Sequence, residues 1–376
     1  MPFQTPSPYT QHPKSRMERV FFNVYDRTFR KYIRSYRLGL ESAVGSDMPP
    51  NLSTVLAALK KKRLSDIAAD YPFAVYALAM PYTWRSPEPS DVIRKALIIG
   101  EVKFTIEDCV APSTEPGLNA ILPKQLSWAV RQVNSSQRQM AHTSYAHAWT
   151  VPLDKWRAES VRGGDFVFIF ETEDPRDPTK TLVFAACLQA KNANPKRVRK
   201  GKLGVDIRRF KSGPRDKAND GYGQFRALLQ TQRLGIQSGY IFYNNDEEDR
   251  IRYPVLPLVK PIRLFENDLE RTNKTDLARD TLTLAGYFTY LFRHVAAIGV
   301  PGDDDEKLAA LIANATVNRP AQVVCLSHTA TFEYRLNRIL ADHAAQYEPV
   351  MISDPEWEQV DLPEDGPDFP DFKHLF

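Results

Sequence analysis

Two apolar runs, FVFIF at 166–170 and TLVFAACL at 181–188, flank the polar segment EDPRDPTK. Short continuous apolar runs bounded by turn-forming residues predict buried strands, here over 165–171 and 181–190. Alternate residues of a strand share a face. Gln189 and Lys191 therefore take one side of the second strand, and Leu188 and Ala190 the other. Residues 220–235, DGYGQFRALLQTQRLG, place Phe225, Leu228, Leu229 and Gln232 along one side of a helix that Gly235 closes. IQSGYIFYNN then reads as a buried strand. Upstream, 113–134 reads as a helix capped by Ser113 or Thr114, with Pro116 and Pro123 complicating its start. Residues 145–151 read as a strand. A hairpin, a helix and a strand in this order predict an α/β core: a mixed sheet with flanking helices.

The flanks add further elements. Phe21, Tyr25, Phe29 and Tyr32 have helical spacing within 17–45, and a second helix follows Pro49-Pro50 with Asn51 or Ser53 as its cap. Four prolines make 71–90 a strand or a buried loop. The segment from Asp91, DVIRKALIIGEVKFTIED, is open to helix, strand or both. Residues 281–299 form an apolar helix, 321–326 a strand, and 327–346 a helix for which Ser327 is an ordinary N-cap. The expected organisation is a disordered tail at 1–16, a mainly helical region at 17–110, and the α/β core at 111–250. A C-terminal helix-and-strand extension at 251–350 and an acidic, Pro-rich, extended tail at 351–376 complete it. No internal repeat is visible.

Composition narrows the class. The chain has 376 residues, 43% hydrophobic and 26% charged, enough for one large domain or two modest ones. No apolar run approaches the ~20 residues of a membrane helix, and MPFQTPSPYTQHPKSR lacks the apolar core of a secretory signal. The three cysteines, Cys109, Cys187 and Cys325, are scattered and form no CxxC. A disulfide framework and a Cys-rich zinc site are therefore not indicated, and a reducing cytoplasm is the expected compartment. The net charge of +4 is unevenly placed. Residues 191–217 hold eleven Lys or Arg against two Asp, and the stretch from Glu348 onward holds nine acidic residues against one Lys. A basic block of this density suits a polyanion, and a solvated loop is the plain alternative.

Asp165, Gln189 and Lys191 carry the candidate chemistry. A carboxylate, an amide oxygen and an ammonium brought together by a hairpin suit a divalent metal beside a polarised water. Other signals are weaker. His142 and His147 lack a familiar metal spacing, and no G-x-S-x-G surrounds Ser327-His328. No Gly-rich phosphate loop is present. The plain alternative for the hairpin is a buried structural element, with Asp165 capping a turn and Lys191 solvated at a strand end.

The order helix, strand, GGD-strand, turn, strand-QAK, helix, strand resembles the PD-(D/E)xK, or restriction-endonuclease-like, nuclease superfamily. Its QxK form is similar to the Mrr-type endonucleases. Gly164-Asp165 stands where Pro-Asp does, and Gln189-Ala190-Lys191 where (D/E)xK does; Gln224 on the following helix and the strand GYIFYN also match. The likeness covers residues 113–245. It implies a metal-dependent endonuclease that hydrolyses DNA phosphodiester bonds in bacterial defence or genome conflict, with RNA as the alternative substrate. It implies a homodimer, since one site cuts one strand, and a defence-system partner. Asp165, Gln189 and the Ala190 carbonyl would hold Mg2+ or Mn2+, and Lys191 would activate the water. Glu115 would complete the site, with Glu101 and Glu107 as weaker candidates. Lys196, Arg197, Arg199, Lys200, Lys202, Arg208, Arg209, Lys211 and Gln224 would meet the nucleic acid. Gln at position 189 removes one negative charge from the metal site. That loss keeps a second expectation open: a non-catalytic nucleic-acid-binding module on the same fold.

Overall fold

A computed structural model describes residues 89–109, 113–139, 144–153, 164–192, 204–206, 223–243, 256–265, 274–276, 281–318 and 320–346. The helices expected at 17–45 and 51–70, the stretch 71–88, most of the basic block and the acidic tail lie outside the described residues.

The central hairpin is longer than the apolar runs suggest. Strand β2 (Phe166–Asp174) pairs antiparallel with β3 (Asp177–Asn192), from Phe166 opposite Leu188 to Glu173 opposite Thr181. Asp174 accepts from the Arg176 N–H at 2.9 Å, and Asp177 from the Thr179 N–H at 3.2 Å, so the polar turn holds itself closed. Helix α3 (Gly223–Arg233) follows. It ends where Gly235 takes φ 89°, a left-handed turn that a side chain disfavours. Strand β5 (Gln237–Tyr243) then runs parallel to β3, with Gln189 beside Tyr240 and Asn192 beside Tyr243.

The remaining strands complete a mixed sheet. They are β1 (His147–Pro152), β6 (Leu258–Pro261), β8 (Leu282–Thr283), β9 (Val300–Pro301) and β10 (Gln322–Ser327). The order is β1-β10-β2-β3-β5-β6-β8, with β9 pairing β3 at Leu182 and Val183. Strand β10 lies between β1 and β2, antiparallel to the first and parallel to the second. The short strands β4 (Gly204–Asp206) and β7 (Lys274–Asp276) pair as a separate two-stranded sheet.

The segment left open between helix and strand is helical. Helix α1 (Pro89–Lys103) continues into a π turn, Phe104–Asp108. Val92, Ala96 and Ile99, at i, i+4 and i+7, are buried to 1% exposure or less, which is a helical stripe. Helix α2 (Glu115–Gln139) starts on Thr114, whose Oγ1 accepts from the Gly117 N–H at 3.3 Å. Pro116 sits in the first turn, where no intrahelical N–H is needed.

Helices cover both faces of the sheet. Phe168 and Phe170 of β2 pack on Phe288 of α4 (Leu284–Arg293) at ring distances of 4.8 and 4.7 Å. Phe104, the first residue of the π turn after α1, meets Tyr243 at 5.5 Å on this same side. Strand alternation puts Tyr240 on the opposite face. There it meets Phe265 of the 3-10 turn Ile262–Phe265 at 5.2 Å. Helix α5 (Val295–Ile298) precedes β9, and α6 (Asp305–Thr316) and α7 (Ala330–Gln346) follow it. The fold is thus mixed α/β, built on an open sheet with buried faces.

Two local expectations change. Ser327 does not cap α7, which starts at Ala330; it is the last residue of β10 and fully buried. Its Oγ donates to Glu171 Oε2 at 3.0 Å and accepts the Thr329 N–H at 2.9 Å. The expected helix 281–299 begins only at Leu284, because Leu282 and Thr283 pair with β6. Among the described residues, no helix is long and apolar enough to cross a membrane.

Candidate functional site

Asp165 stands one residue before β2 and extends its pairing: its N–H donates to the Leu188 carbonyl at 2.9 Å. Gly164 in front of it has φ 155°, and a Cβ there would lie 2.6 Å from Cys187 Sγ. Glycine is needed at this point both for the backbone angle and for the space. The carboxylate turns onto β3, where Oδ2 accepts the Ala190 N–H at 2.7 Å and the side-chain amide of Gln189. The sequence-predicted pair Asp165 and Gln189 is therefore in direct contact.

Gln189 is 2% exposed. Its Nε2 also reaches the Ala190 carbonyl at 3.3 Å, while its Oε1 is buried with no hydrogen-bond partner. Lys191 shares its face, and its Nζ donates to Gln224 Oε1 of α3 at 2.8 Å. Gln224, expected on the nucleic acid, thus holds the lysine. Glu115, the first residue of α2, accepts the Asn192 N–H at 3.1 Å through Oε2. The C-terminal end of β3 therefore carries contacts from three sides: Asp165 from just before β2, Gln224 from α3 and Glu115 from α2.

The other carboxylates go elsewhere. Glu101 accepts the Leu284 and Ala285 N–H groups at 2.7 and 3.2 Å, capping α4. Glu107 lies in the π turn, and its side chain is outside the described residues. Glu171 takes Ser327 and Thr329 hydroxyls at 3.0 and 2.5 Å, and Glu173 takes the Ser90 N–H at 3.2 Å. Lys196, Arg197, Arg199, Lys200, Lys202, Arg208, Arg209 and Lys211 lie outside the described residues.

Burial and the nearby carboxylates shape the electrostatics. Burial lifts the Tyr243 phenol well above its usual range, and the charge of Asp165 adds to this, with Cys109 and Glu115 contributing further. Both candidate carboxylates thus act on one buried hydroxyl. Burial, then Asp165, pushes the Cys187 thiol up to about 12, so it stays an uncharged packing group.

The donor set fits a hard cation. Two carboxylates, an amide oxygen and a backbone carbonyl are all oxygen donors, which suits Mg2+ or Mn2+ better than a soft metal. The orphaned Gln189 Oε1 supports the fit, because a half-turn of the amide exchanges Oε1 for Nε2 beside Asp165. Among the described residues, no group of three His, Cys, Asp or Glu side chains could hold a metal. Any cation here depends on the amide and the carbonyl as well as on the carboxylates.

Four residues near the site were not expected there. Asn192 Oδ1 is buried without a partner. Tyr243 of β5 and Gln322 of β10 each donate to Asn119 of α2. Asn192 follows QAK directly and could have been suspected from position, and Tyr243 lies in the strand GYIFYN; nothing local marks Asn119 or Gln322. A scan against family models matches none, and no curated protein or solved structure matches the chain.

Proposed function

We propose that this chain is a metal-dependent nuclease of restriction-endonuclease-like fold that hydrolyses DNA phosphodiester bonds. One observation carries the reading: Asp165 and Gln189 meet at adjacent strand ends, Lys191 follows on the same face, and Glu115 reaches the next residue. The hairpin, the following helix and the parallel strand β5 have the connectivity that the resemblance implies. A setting in bacterial defence or genome conflict rests on that resemblance alone.

The chain's own residues divide the work. Asp165 is oriented by the Ala190 N–H and would offer its carboxylate to a cation. Gln189 contributes a neutral oxygen, and Glu115 supplies a second carboxylate. Bound there, a divalent cation would polarise the phosphate and lower the pKa of an attacking water. Lys191, steadied by Gln224, places a positive charge where negative charge develops on the phosphoryl oxygens.

Gln189 favours a second reading. Its amide already satisfies Asp165 without a cation, as in a nucleic-acid-binding module that has lost catalysis. Wild type and Lys191→Ala incubated with plasmid DNA and Mg2+ or Mn2+, with an EDTA control, separate the two. Cleavage abolished by EDTA and by the substitution supports the nuclease. A folded protein that retards DNA on a gel but never cuts it supports the binding module.

A further inference from the structure

We infer that Tyr243, Asn119 and Gln322 form a clamp that positions Glu115 in the site; this inference rests on the metal-dependent reading above. In a helix each carbonyl accepts from the N–H four residues on. Four residues after Asn119 comes Pro123, which has no N–H. The Asn119 carbonyl therefore lacks its helical donor, and Gln322 Nε2 takes that place at 2.9 Å. The Asn119 side chain is engaged too: its Oδ1 accepts from Tyr243 Oη at 2.8 Å.

Tyr243 ends β5 and Gln322 begins β10, with β3 and β2 between them. Two bonds to one residue, from strands on either side of the hairpin, fix where this turn of α2 docks on the sheet. Glu115 lies four residues before Asn119 and so on the same face of the helix. Its reach to the Asn192 N–H depends on this docking. Tyr243 is also the register partner of Asn192. Its backbone thus borders the strand end that Glu115 contacts, while its hydroxyl holds the helix that carries Glu115. The proline is part of the device, because a residue with an N–H at position 123 would compete for the carbonyl that Gln322 uses.

Tyr243 is a positioning residue in this account, not a catalytic one. Its ring packs against Phe104, and Phe at this position keeps that contact while removing only the hydroxyl. The test is Mn2+ titrated into the full chain, followed by calorimetry, for wild type, Asp165→Asn, Glu115→Gln, Tyr243→Phe and the double variant Tyr243→Phe/Glu115→Gln. The clamp predicts that Tyr243→Phe weakens Mn2+ binding about tenfold, as loss of a group supporting a ligand does. It also predicts that the double variant binds no more weakly than Glu115→Gln alone. Gln322→Leu, at a half-buried position, breaks the other arm and should follow the same pattern if Tyr243→Phe does not fold. Equal binding by wild type and both clamp variants overturns the clamp alone, as does a loss that adds fully to that of Glu115→Gln. Wild type that binds no Mn2+, or binds it as Asp165→Asn does, overturns the metal reading and the clamp with it.

Discussion

Glu115 Oε2 lies 3.1 Å from the backbone nitrogen of Asn192, a contact between residues 77 positions apart. It joins the start of α2 to the end of β3, one residue past Lys191. Of the three glutamates weighed from the sequence, this one meets the strand end, and Glu101 is occupied as the cap of α4.

The lysine's partner should matter for turnover. Gln224→Leu removes the oxygen that holds Lys191 Nζ and leaves the ammonium to wander. DNA cleavage should fall by roughly tenfold to a hundredfold, in the range of a misplaced catalytic group. The double variant Gln224→Leu/Lys191→Ala should be no slower than Lys191→Ala. Single-turnover rates on plasmid DNA check this, and independent, multiplying losses would contradict it.

Gly164→Ala should be destabilising. The new methyl meets Cys187 Sγ, and φ 155° is unfavourable for alanine. The expected loss is about 1–3 kcal/mol in urea unfolding. Cys187→Ala, which opens the space but not the backbone angle, should recover part of it.

Glu101 should make stability depend on pH. Burial raises its carboxyl to about 8, against the two backbone N–H bonds that lower it. The folded state therefore keeps a proton that the unfolded chain releases near its ordinary value of about 4.3. That contribution is fully present below the unfolded value and is lost as pH rises through about 8. Wild type should lose stability relative to Glu101→Gln between pH 5 and 8, by an amount on the order of a few kcal/mol. Unfolding curves of the two proteins running parallel across that range would count against a neutral Glu101.

Gln322 and Pro123 should be coupled. Gln322→Leu leaves the Asn119 carbonyl without a donor, at a cost of about 1–2 kcal/mol. In a Pro123→Ala background the helix supplies its own N–H, and the same substitution should cost less. A double-mutant cycle in urea measures the difference; strict additivity would show that the two do not share the carbonyl.

The hairpin and the meeting of Asp165 with Gln189 were legible because they are local. Apolar runs and a turn of Asp, Pro and Thr residues set an antiparallel register, and register brings Asp165 to the residues opposite it. Helix α3 was equally plain from Phe225, Leu228 and Leu229 at helical spacing and from Gly235 at the end. The helix over 91–108 was harder, since its buried stripe includes Lys95 and Glu101, both 1% exposed or less.

The sequence by itself determined the central hairpin, helix α3 and strand β5, and that Asp165 and Gln189 would face each other. Only the tertiary structure decided that β10 enters between β1 and β2, that Glu101 caps α4 from 183 residues away, and that Glu115 reaches the end of β3. It also decided that Pro123 can sit inside α2, because the missing donor comes from Gln322, 203 residues distant from the Asn119 carbonyl it meets. The physical reason is range. Strand alternation, helical spacing and turn chemistry act between near neighbours, whereas a buried polar group takes whichever partner the packed chain brings to it.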